Sequence, residues 1–462
     1  TNRSSVNSIV PCTPSRDEET IMSSIEELRH RLRQILGAVL NNPNVRRTVS
    51  SPVFEERAED IRIANISEDR LKRIYEIDNV VPQEIDRVYF IDGTLRTVYT
   101  GRYILCNGVH VPIHVSQVVV GATLRENGEI RPFRYISRFI IMVPSNALAG
   151  ANCYSIYLSD DITLDYKGDF YRKIMNSDIL FTDTSLRLHA NMPVPNIEPT
   201  DLIGTGKLRN MARNRAKVIM RIMELLLAYE ISRQDRDSLI VMDGPIGILL
   251  PYSRLTGIIN LNLDEYPTDK YTPRAQRELY NLLSRVIGIV KNVVRIPPDL
   301  RISRGIQFYS FPSVSGLVKS EDEENIDEDD LRSYIIAGYM RLRPNILREI
   351  PVIWSLASAL IRIDIPLPMI IEPSLSDNWL SFFKQQVDQT NLPLTRIISD
   401  YIRSSAYSQQ RLSQVASYIA SEAYPIPSTS PHRMLVELYP IAETEFWIKS
   451  KLLPPEEIVS LI

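Results

Sequence analysis

The sequence predicts a mixed α/β fold in which strands form a sheet flanked by helices. Two observations lead to this prediction. Residues 87–120 alternate apolar and polar side chains with a period of two, which is typical of strands, and residues 207–232 show the periodicity of a long helix. A strand at 238–243, a helix at 273–284 and a strand ending at Lys291 follow. The predicted order is therefore three strands, helix, strand, helix, strand.

Length and composition describe a globular chain. The protein has 462 residues, of which 44% are hydrophobic and 24% charged, so it can bury a sizeable core. This length is compatible with about three domains or with one domain that carries insertions. The formal net charge of -3 is close to zero, so the total charge alone does not indicate a class of binding partner.

The cysteines and the apolar stretches bear on localisation. Cys12, Cys106 and Cys153 are far apart and form no CxxC motif, which predicts neither a disulfide framework nor a zinc cluster and favours a reducing compartment. No signal peptide opens the sequence, and the most apolar late stretch, 352–371, contains two charged residues and two prolines. We therefore expect a cytoplasmic protein with no membrane contact.

The predicted domain organisation centres on one long domain. An N-terminal arm contains an amphipathic helix at 22–41, whose apolar face packs on the protein's own core or serves dimer or partner contact. Helices are predicted to dominate from 331 to 423, which gives a helical C-terminal part. The predicted boundaries are 1–80 for the arm, 81–446 for the domain with insertions near 120–206 and an acidic loop at 320–330, and 447–462 for a C-terminal tail.

Two strands end in the same way, with an aspartate followed by a glycine. Asp92 follows "VYFI" and Asp243 follows "LIVM", although aspartate is depleted in strands. One such aspartate is usually a turn or cap residue. If the two strands are neighbours, the two carboxylates lie close enough to share divalent cations, and hard oxygen ligands suit Mg²⁺ or Mn²⁺. Two such ions about 4 Å apart are the device for in-line attack on a phosphodiester.

The long helix offers a third acid for such a site. Glu224 has apolar neighbours and is expected to point inward, whereas Glu230 is nearer the helix end and is expected to be more exposed. We prefer Glu224, and a solvated helix acid is the alternative for either residue. Lys291, at the end of a strand, either reaches a substrate phosphate or places its ammonium in solvent.

The histidines and the basic residues of the helix give further candidates. His110 and His114 form an HxxxH pattern, but on an extended strand four residues span about 13 Å, which is too far for one ion. His432 is a candidate ligand or acid–base residue, with a structural role as its alternative. The long helix also carries basic residues that form either a phosphate track or a solvated face: Lys207, Arg209, Arg213, Arg215, Lys217 and Arg221.

Five segments follow one another in the order "YFIDGTL", "LIVMDGPIG", "IGIVK", "IRIDIP" and "YPIPSTSPH". A glutamate-bearing helix lies after the first of them. With these segments in this order, the chain resembles the NurA nuclease family over roughly 85–440. These archaeal and bacterial nucleases act in DNA-end resection for recombinational repair and have an RNase H-like core. The resemblance places metal ligands at Asp92, Glu224, Asp243 and His432, and an active-site tyrosine at Tyr424. It also implies Mn²⁺ (or Mg²⁺) dependence, 5′–3′ exonuclease and single-strand endonuclease activity, a homodimer, and partnership with the hexameric HerA translocase.

Two other classes remain open at this point. A sugar-kinase or actin-like ATPase shares an RNase H-like sheet with a strand-end aspartate, but it needs glycine-rich phosphate loops. This chain has only 17 glycines and no Gly-Gly pair. A non-catalytic scaffold for a DNA translocase is the second alternative, and the presence of all three predicted acids argues against it.

Overall fold

The computed structural model describes most of the chain from residue 72 onward. The described residues are 30, 31, 34, 45–47, 72–153, 162–164, 170–187, 194–195, 197–247, 273–291, 293, 296–301, 305–311, 334–341, 360–422, 425–426 and 437–461. Element labels number only the strands and helices within these ranges.

The strands of the described ranges differ greatly in length. They are β1 (Val45–Arg47), β2 (Arg73–Ile77), β3 (Arg87–Cys106), β4 (Val109–Glu126), β5 (Glu129–Val143), β6 (Thr163–Leu164), β7 (Ile179–Asp183), β8 (Leu186–Arg187), β9 (Val194–Pro195), β10 (Leu239–Asp243), β11 (Val286–Val290), β12 (Ile306–Phe311), β13 (Ile335–Arg341), β14 (Leu360–Pro366), β15 (Pro425–Ile426) and β16 (Glu437–Leu438).

The helices include one of thirty residues and several short ones. They are α1 (Ser145–Gly150), α2 (Phe170–Asn176), α3 (Thr205–Gln234), α4 (Pro273–Leu283), α5 (Trp379–Thr390), α6 (Leu394–Ser404), α7 (Ala406–Ser421), α8 (Tyr439–Lys449) and α9 (Pro455–Leu461), with short 3₁₀ segments at Pro199–Ile203, Leu367–Ile370 and Pro373–Leu375.

One large mixed sheet organises the described part of the chain, so the protein has a mixed α/β fold. Its strand order is β2-β12-β13-β14-β11-β10-β3-β4-β5-β7-β6, and β1 adds to β3. At the centre, β3, β4 and β5 are antiparallel neighbours, β10 runs parallel to β3, and β11 runs parallel to β10. After the segment predicted as an insertion, helix α3, strand β10, helix α4 and strand β11 follow one another, which confirms this part of the predicted order.

Helices cover both faces of the central strands. A side chain at Gly93 would meet Met220 and Glu224 of α3, whereas a side chain at Gly121 would meet Trp447 and Ile448 of α8. Because Gly121 pairs with Asp92, the residue before Gly93, these two contacts lie on opposite faces of the sheet. The sheet is therefore buried on both sides, which explains why its inner strands are nearly continuous apolar runs.

The turn between β3 and β4 has the residues of a tight hairpin. Asn107 and Gly108 both have positive φ, 48° and 82°, which a two-residue hairpin turn of the favoured hand requires. The third predicted strand differs, because β4 continues to Glu126 and β5 begins only at Glu129. The segment predicted as an insertion from 120 therefore opens with residues of the sheet.

The prediction that helices dominate from 331 is wrong for its first part. Strands β13 and β14 lie in the sheet between β12 and β11. Their sequences, "IIAGYMR" and "LIRIDIP", are short apolar runs, and periodicity alone does not separate a buried strand from a buried helix at that length. The helical part begins with α5.

The prediction from the cysteines is also wrong, because Cys106 and Cys153 form a disulfide. They are 47 residues apart in sequence, which concealed their proximity. The antiparallel pairing brings the end of β3, the start of β4 and the end of β5 to one edge of the sheet, and α1 leads from there to Cys153. A disulfide is uncommon in reducing compartments, so the cytoplasmic localisation stays a prediction.

Several predicted segments lie wholly or largely outside the described ranges. Of the helix predicted at 22–41, only His30, Arg31 and Gln34 are described, all in helical conformation, and the acidic loop at 320–330 is not described at all. The predicted boundary at 446/447 falls within α8. In the part of the chain that is described, no helix is long and apolar enough to cross a membrane.

Candidate active site

The two aspartates that were predicted at strand ends come from neighbouring strands. Strands β10 and β3 are parallel, with Met242 opposite Ile91, so Asp243 and Asp92 occupy the next positions in register. Adjacent strands are about 4.8 Å apart. Asp92 is 6% exposed, and one of its oxygens accepts a hydrogen bond of 2.7 Å from the backbone N–H of Gly93. The two carboxylates are therefore neighbours, as the sequence predicted. The predicted strand end is correct for Asp243 and wrong for Asp92, because β3 continues through Gly93 to Cys106.

Lys291 joins this pair from the third parallel strand. It directly follows β11, whose Ile289 is paired with Asp243. Its ammonium nitrogen lies 3.1 Å from Oδ1 of Asp243, and its side chain is 4% exposed. The sequence left two roles open for Lys291: contact with a substrate phosphate, or an ammonium that lies in solvent. The buried ion pair with Asp243 excludes the solvent-facing alternative.

Glu224 approaches the aspartates from α3. Its side chain is fully buried, which confirms the predicted inward orientation, and Oε1 lies where a side chain on Gly93 would begin. Any residue other than glycine beside Asp92 would displace the side chains of Glu224 and Met220. Its Oε2 accepts a short hydrogen bond from the guanidinium of Arg221, one helical turn earlier.

Arg221 also fixes the turn that follows Asp243. Its guanidinium donates hydrogen bonds to the carbonyl oxygens of Asp243 and Pro245, the latter at 2.9 Å. Gly244, between them, has a φ of 80°, a conformation that favours glycine. Arg221 therefore holds Glu224 and the strand end of Asp243 in one arrangement. Sequence reasoning counted it only among the basic residues of the helix, although its position three residues before a buried glutamate indicated a shared side of α3.

Burial and mutual repulsion act strongly on the acids. Burial raises the pKa of Asp92 well above its ordinary value, the negative charge of Asp243 raises it further, and Lys291 opposes the rise. Burial raises the pKa of Glu224 to about 8, against the attraction of Arg221. A positive charge that replaces the protons of such acids stabilises their ionised form.

Two carboxylate oxygens of the site are buried without a hydrogen bond in the described structure, Oε1 of Glu224 and Oδ1 of Asp243. The ammonium of Lys291 is close to the second of these atoms but is not aligned with it as a hydrogen-bond donor. Buried polar atoms without partners are uncommon and costly, and they point to a missing partner such as an ion.

The acids fit a divalent cation in chemistry but are not preassembled around one. Within the described ranges, no group of three or more histidine, cysteine, aspartate or glutamate side chains is arranged to hold a metal ion. Arg221 and Lys291 instead supply the positive charge. A cation would therefore have to compete with these two side chains for the oxygens of Glu224 and Asp243.

The alternative third acid is engaged elsewhere. Glu230 accepts a 2.6 Å hydrogen bond from the hydroxyl of Tyr171 and lies 3.8 Å from the guanidinium of Arg134. The HxxxH residues lie on β4, as an extended strand requires, and His114 is buried there with its pKa lowered by burial to about 4. Neither arrangement brings a ligand to the aspartates.

Two of the predicted site residues, Tyr424 and His432, lie outside the described ranges, and their roles stay predictions. The basic residues of α3 do not form one solvated face, because Arg215 and Lys217 are buried. Arg215 donates a 2.9 Å hydrogen bond to the carbonyl of Asp183 at the end of β7. Arg221 belongs to this basic run and bonds Glu224 and the carbonyl of Asp243.

No protein-family model matches the chain, and no curated protein matches it. Among solved structures, the chain is similar to the NurA nuclease from Sulfolobus solfataricus, with 11% sequence identity over 90% of this chain and 100% of that one, at a TM-score of 0.27. A TM-score this low establishes neither a shared fold nor a shared activity for this chain.

Proposed function

We propose that this protein is a metal-dependent deoxyribonuclease of the NurA type, built on an RNase H-like core. One observation carries the proposal. Asp92, Glu224 and Asp243 converge from two parallel strands and a helix, and two of their oxygens are buried without hydrogen-bond partners. The succession of three antiparallel strands, helix, parallel strand, helix and parallel strand supports the RNase H-like assignment.

Asp92, Glu224 and Asp243 would hold two Mn²⁺ or Mg²⁺ ions, with His432 as a further ligand or proton donor. Bound ions would activate a water molecule and stabilise the charge that develops on the phosphodiester. Two basic side chains hold the acids in place. Arg221 orients Glu224, and Lys291 balances the negative charge of Asp243 while no substrate or cation is bound.

The direct test is cleavage of end-labelled single-stranded DNA with Mn²⁺, against a control with EDTA. We expect cleavage with Mn²⁺ and none with EDTA. His432→Ala and Tyr424→Phe test the two residues that only the family resemblance assigns. Full activity of both variants would leave the three acids as the whole site, whereas absence of cleavage by the wild-type protein under all metal conditions would refute the nuclease proposal.

The finer proposals concern direction, assembly and partner. We propose 5′–3′ exonuclease and single-strand endonuclease activity, a homodimer to which the arm at 1–80 contributes, and coupling to a HerA-type hexameric ATPase. Substrates labelled at either end distinguish the direction of cleavage. Light scattering on the full chain and on a chain without residues 1–42 tests the dimer, and a pull-down with a HerA-type ATPase that also stimulates cleavage of duplex ends tests the coupling.

A further inference from the structure

Helix α8 lies along β4 on the face of the sheet opposite α3. Thr444 and Thr123 share a hydrogen bond of 2.6 Å between their hydroxyls. Further along, the side-chain amide of Gln117 donates a 3.1 Å hydrogen bond to the carbonyl of Lys451, just after the helix. From the first contact to the second, the residue number rises along α8 and falls along β4. Helix α8 therefore lies over β4 and runs antiparallel to it.

Between these two contacts, α8 touches the sheet at Gly121. A side chain on Gly121 would collide with Trp447 and Ile448, so the helix rests on the bare backbone of the strand there. Gly121 is paired with Asp92 on β3 and with Tyr135 on β5. The helix therefore crosses the row of residues to which the candidate catalytic aspartate belongs.

The contacts of Trp447 fix the rotation of α8. Its ring packs edge-on against Tyr135, with ring centroids 5.9 Å apart, so this flank of the helix faces β5. Glu445 lies two residues earlier, which is about 200° around a helix of 3.6 residues per turn. Glu445 therefore lies on the other flank of α8, the flank that faces β3 and Asp92.

We propose that Glu445 is a fourth carboxylate of the candidate cation site, supplied from the face of the sheet opposite Glu224. The inference rests on the proposed function and extends it to a residue on a helix that the sequence placed at the end of the main domain. The Glu445 side chain is 25% exposed and pairs with Lys449 at 2.6 Å, so its carboxylate is accessible to an ion.

The number of oxygen ligands that such ions take agrees with this position. Mg²⁺ and Mn²⁺ favour six oxygen ligands. Oε1 of Glu224 is buried and without a hydrogen-bond partner on the α3 side of Asp92. Glu445 would supply a further carboxylate from the α8 side.

The competing explanation is an ordinary ion pair on the surface of a helix, since Glu445 and Lys449 are spaced by four residues. The same helix provides two controls for it. Glu443→Gln removes an equal charge from an exposed residue of α8 that lies on the flank away from β3. Lys449→Gln breaks the ion pair but keeps the Glu445 carboxylate.

The test is titration calorimetry of Mn²⁺ into the full-length protein and its variants, with thermal unfolding in EDTA as the measure of folding. We expect Glu445→Gln to weaken Mn²⁺ binding by about tenfold or more while it unfolds in EDTA at the wild-type temperature. Glu443→Gln and Lys449→Gln should bind Mn²⁺ within about twofold of wild type. Glu445→Asp, which keeps the charge on a shorter side chain, should bind better than Glu445→Gln.

Normal Mn²⁺ binding by Glu445→Gln would overturn the inference and leave the proposed function intact. Equal losses in Glu445→Gln and Lys449→Gln would overturn it as well, because the ion pair rather than the carboxylate would then be responsible. A wild-type protein that binds no Mn²⁺ would overturn both the proposed function and this inference.

Discussion

The ammonium of Lys291 lies 3.1 Å from a carboxylate oxygen of Asp243, in a site where the lysine side chain is 4% exposed and the aspartate side chain 17%. The pair stands beside a second aspartate on the adjacent strand. Lys291 therefore offsets repulsion between the acids while no cation is bound. This relationship makes the stability of the protein depend on what supplies positive charge to the site.

Replacement of Lys291 by methionine should destabilise the metal-free protein and make it dependent on cations. Removal of one partner of a buried ion pair costs about 3–5 kcal/mol, because the other charge stays buried. We expect Lys291→Met to unfold at a lower temperature than wild type in EDTA, and to gain more from added Mn²⁺. Thermal unfolding with and without the ion measures both effects.

Lys449→Met is the control for that experiment. It breaks an exposed pair with Glu445, which contributes less than about 1 kcal/mol. Equal unfolding temperatures for Lys291→Met and wild type in EDTA would contradict the assignment of Lys291 as the internal counter-ion.

The two aspartates should be equally necessary for cleavage but differ in their effect on stability. Asp92→Asn removes a buried like charge, so we expect it to unfold in EDTA at or above the wild-type temperature. Asp243→Asn leaves the Lys291 ammonium buried beside a neutral amide, so we expect it to unfold at a lower temperature. Both should lose cleavage of single-stranded DNA. Asp86→Asn, at an exposed position just before β3, should change neither property.

Glu224 and Glu230 should differ sharply in their contribution to activity. Glu224→Gln should reduce cleavage by more than about 100-fold, since changes outside the ligand shell already cost about 10- to 100-fold. Glu230→Gln should stay near wild type, because its carboxylate bonds Tyr171 away from the aspartates. Single-turnover cleavage with Mn²⁺ compares the two variants. A larger loss in Glu230→Gln would contradict the proposed geometry.

The raised pKa of Glu224 predicts a pH dependence of stability in EDTA. The unfolded carboxyl ionises near its ordinary pKa of 4.5, whereas the folded one stays protonated up to about 8. The folded state therefore binds more protons in this window, so this contribution is fully present below pH 4.5 and is lost as the pH rises toward 8. Glu224→Gln does not titrate, so wild type should lose stability relative to this variant from pH 5 to 8. Chemical unfolding at several pH values measures the difference, and parallel curves would contradict the prediction.

The sequence predicted that Asp92 and Asp243 lie on neighbouring strands, although Asp92 lies within β3 rather than at its end. An aspartate and a glycine after an apolar run are visible without knowledge of the fold, and parallel pairing then places the two residues at neighbouring positions. Glu224 was also predictable, because apolar neighbours on a long helix indicate which side is buried.

What the sequence did not predict depends on long-range pairing. The engagement of Arg221 with Glu224 and the 243–245 turn follows from how α3 packs on β10, which no local pattern encodes. Strands β13 and β14 were missed because a short buried run has the same composition in a strand and in a helix. The position of Glu445 depends on the rotation of α8 about its axis, which only its contacts with Gly121 and Tyr135 fix.

The disulfide between Cys106 and Cys153 should stabilise the protein without serving the site. It closes a loop with a sequence separation of 47 residues, for which loss of unfolded-chain entropy is worth about 4 kcal/mol. Cys106 stands at the far end of β3 from Asp92, on the order of 40 Å along the strand. We expect Cys106→Ser and Cys153→Ser to lower the unfolding temperature and to cleave DNA at the wild-type rate at low temperature. Dithiothreitol should lower the unfolding temperature of wild type to that of the serine variants and leave the variants unchanged. A wild-type protein insensitive to dithiothreitol, with free thiols detected on Cys106 and Cys153 by alkylation and mass spectrometry, would refute the disulfide.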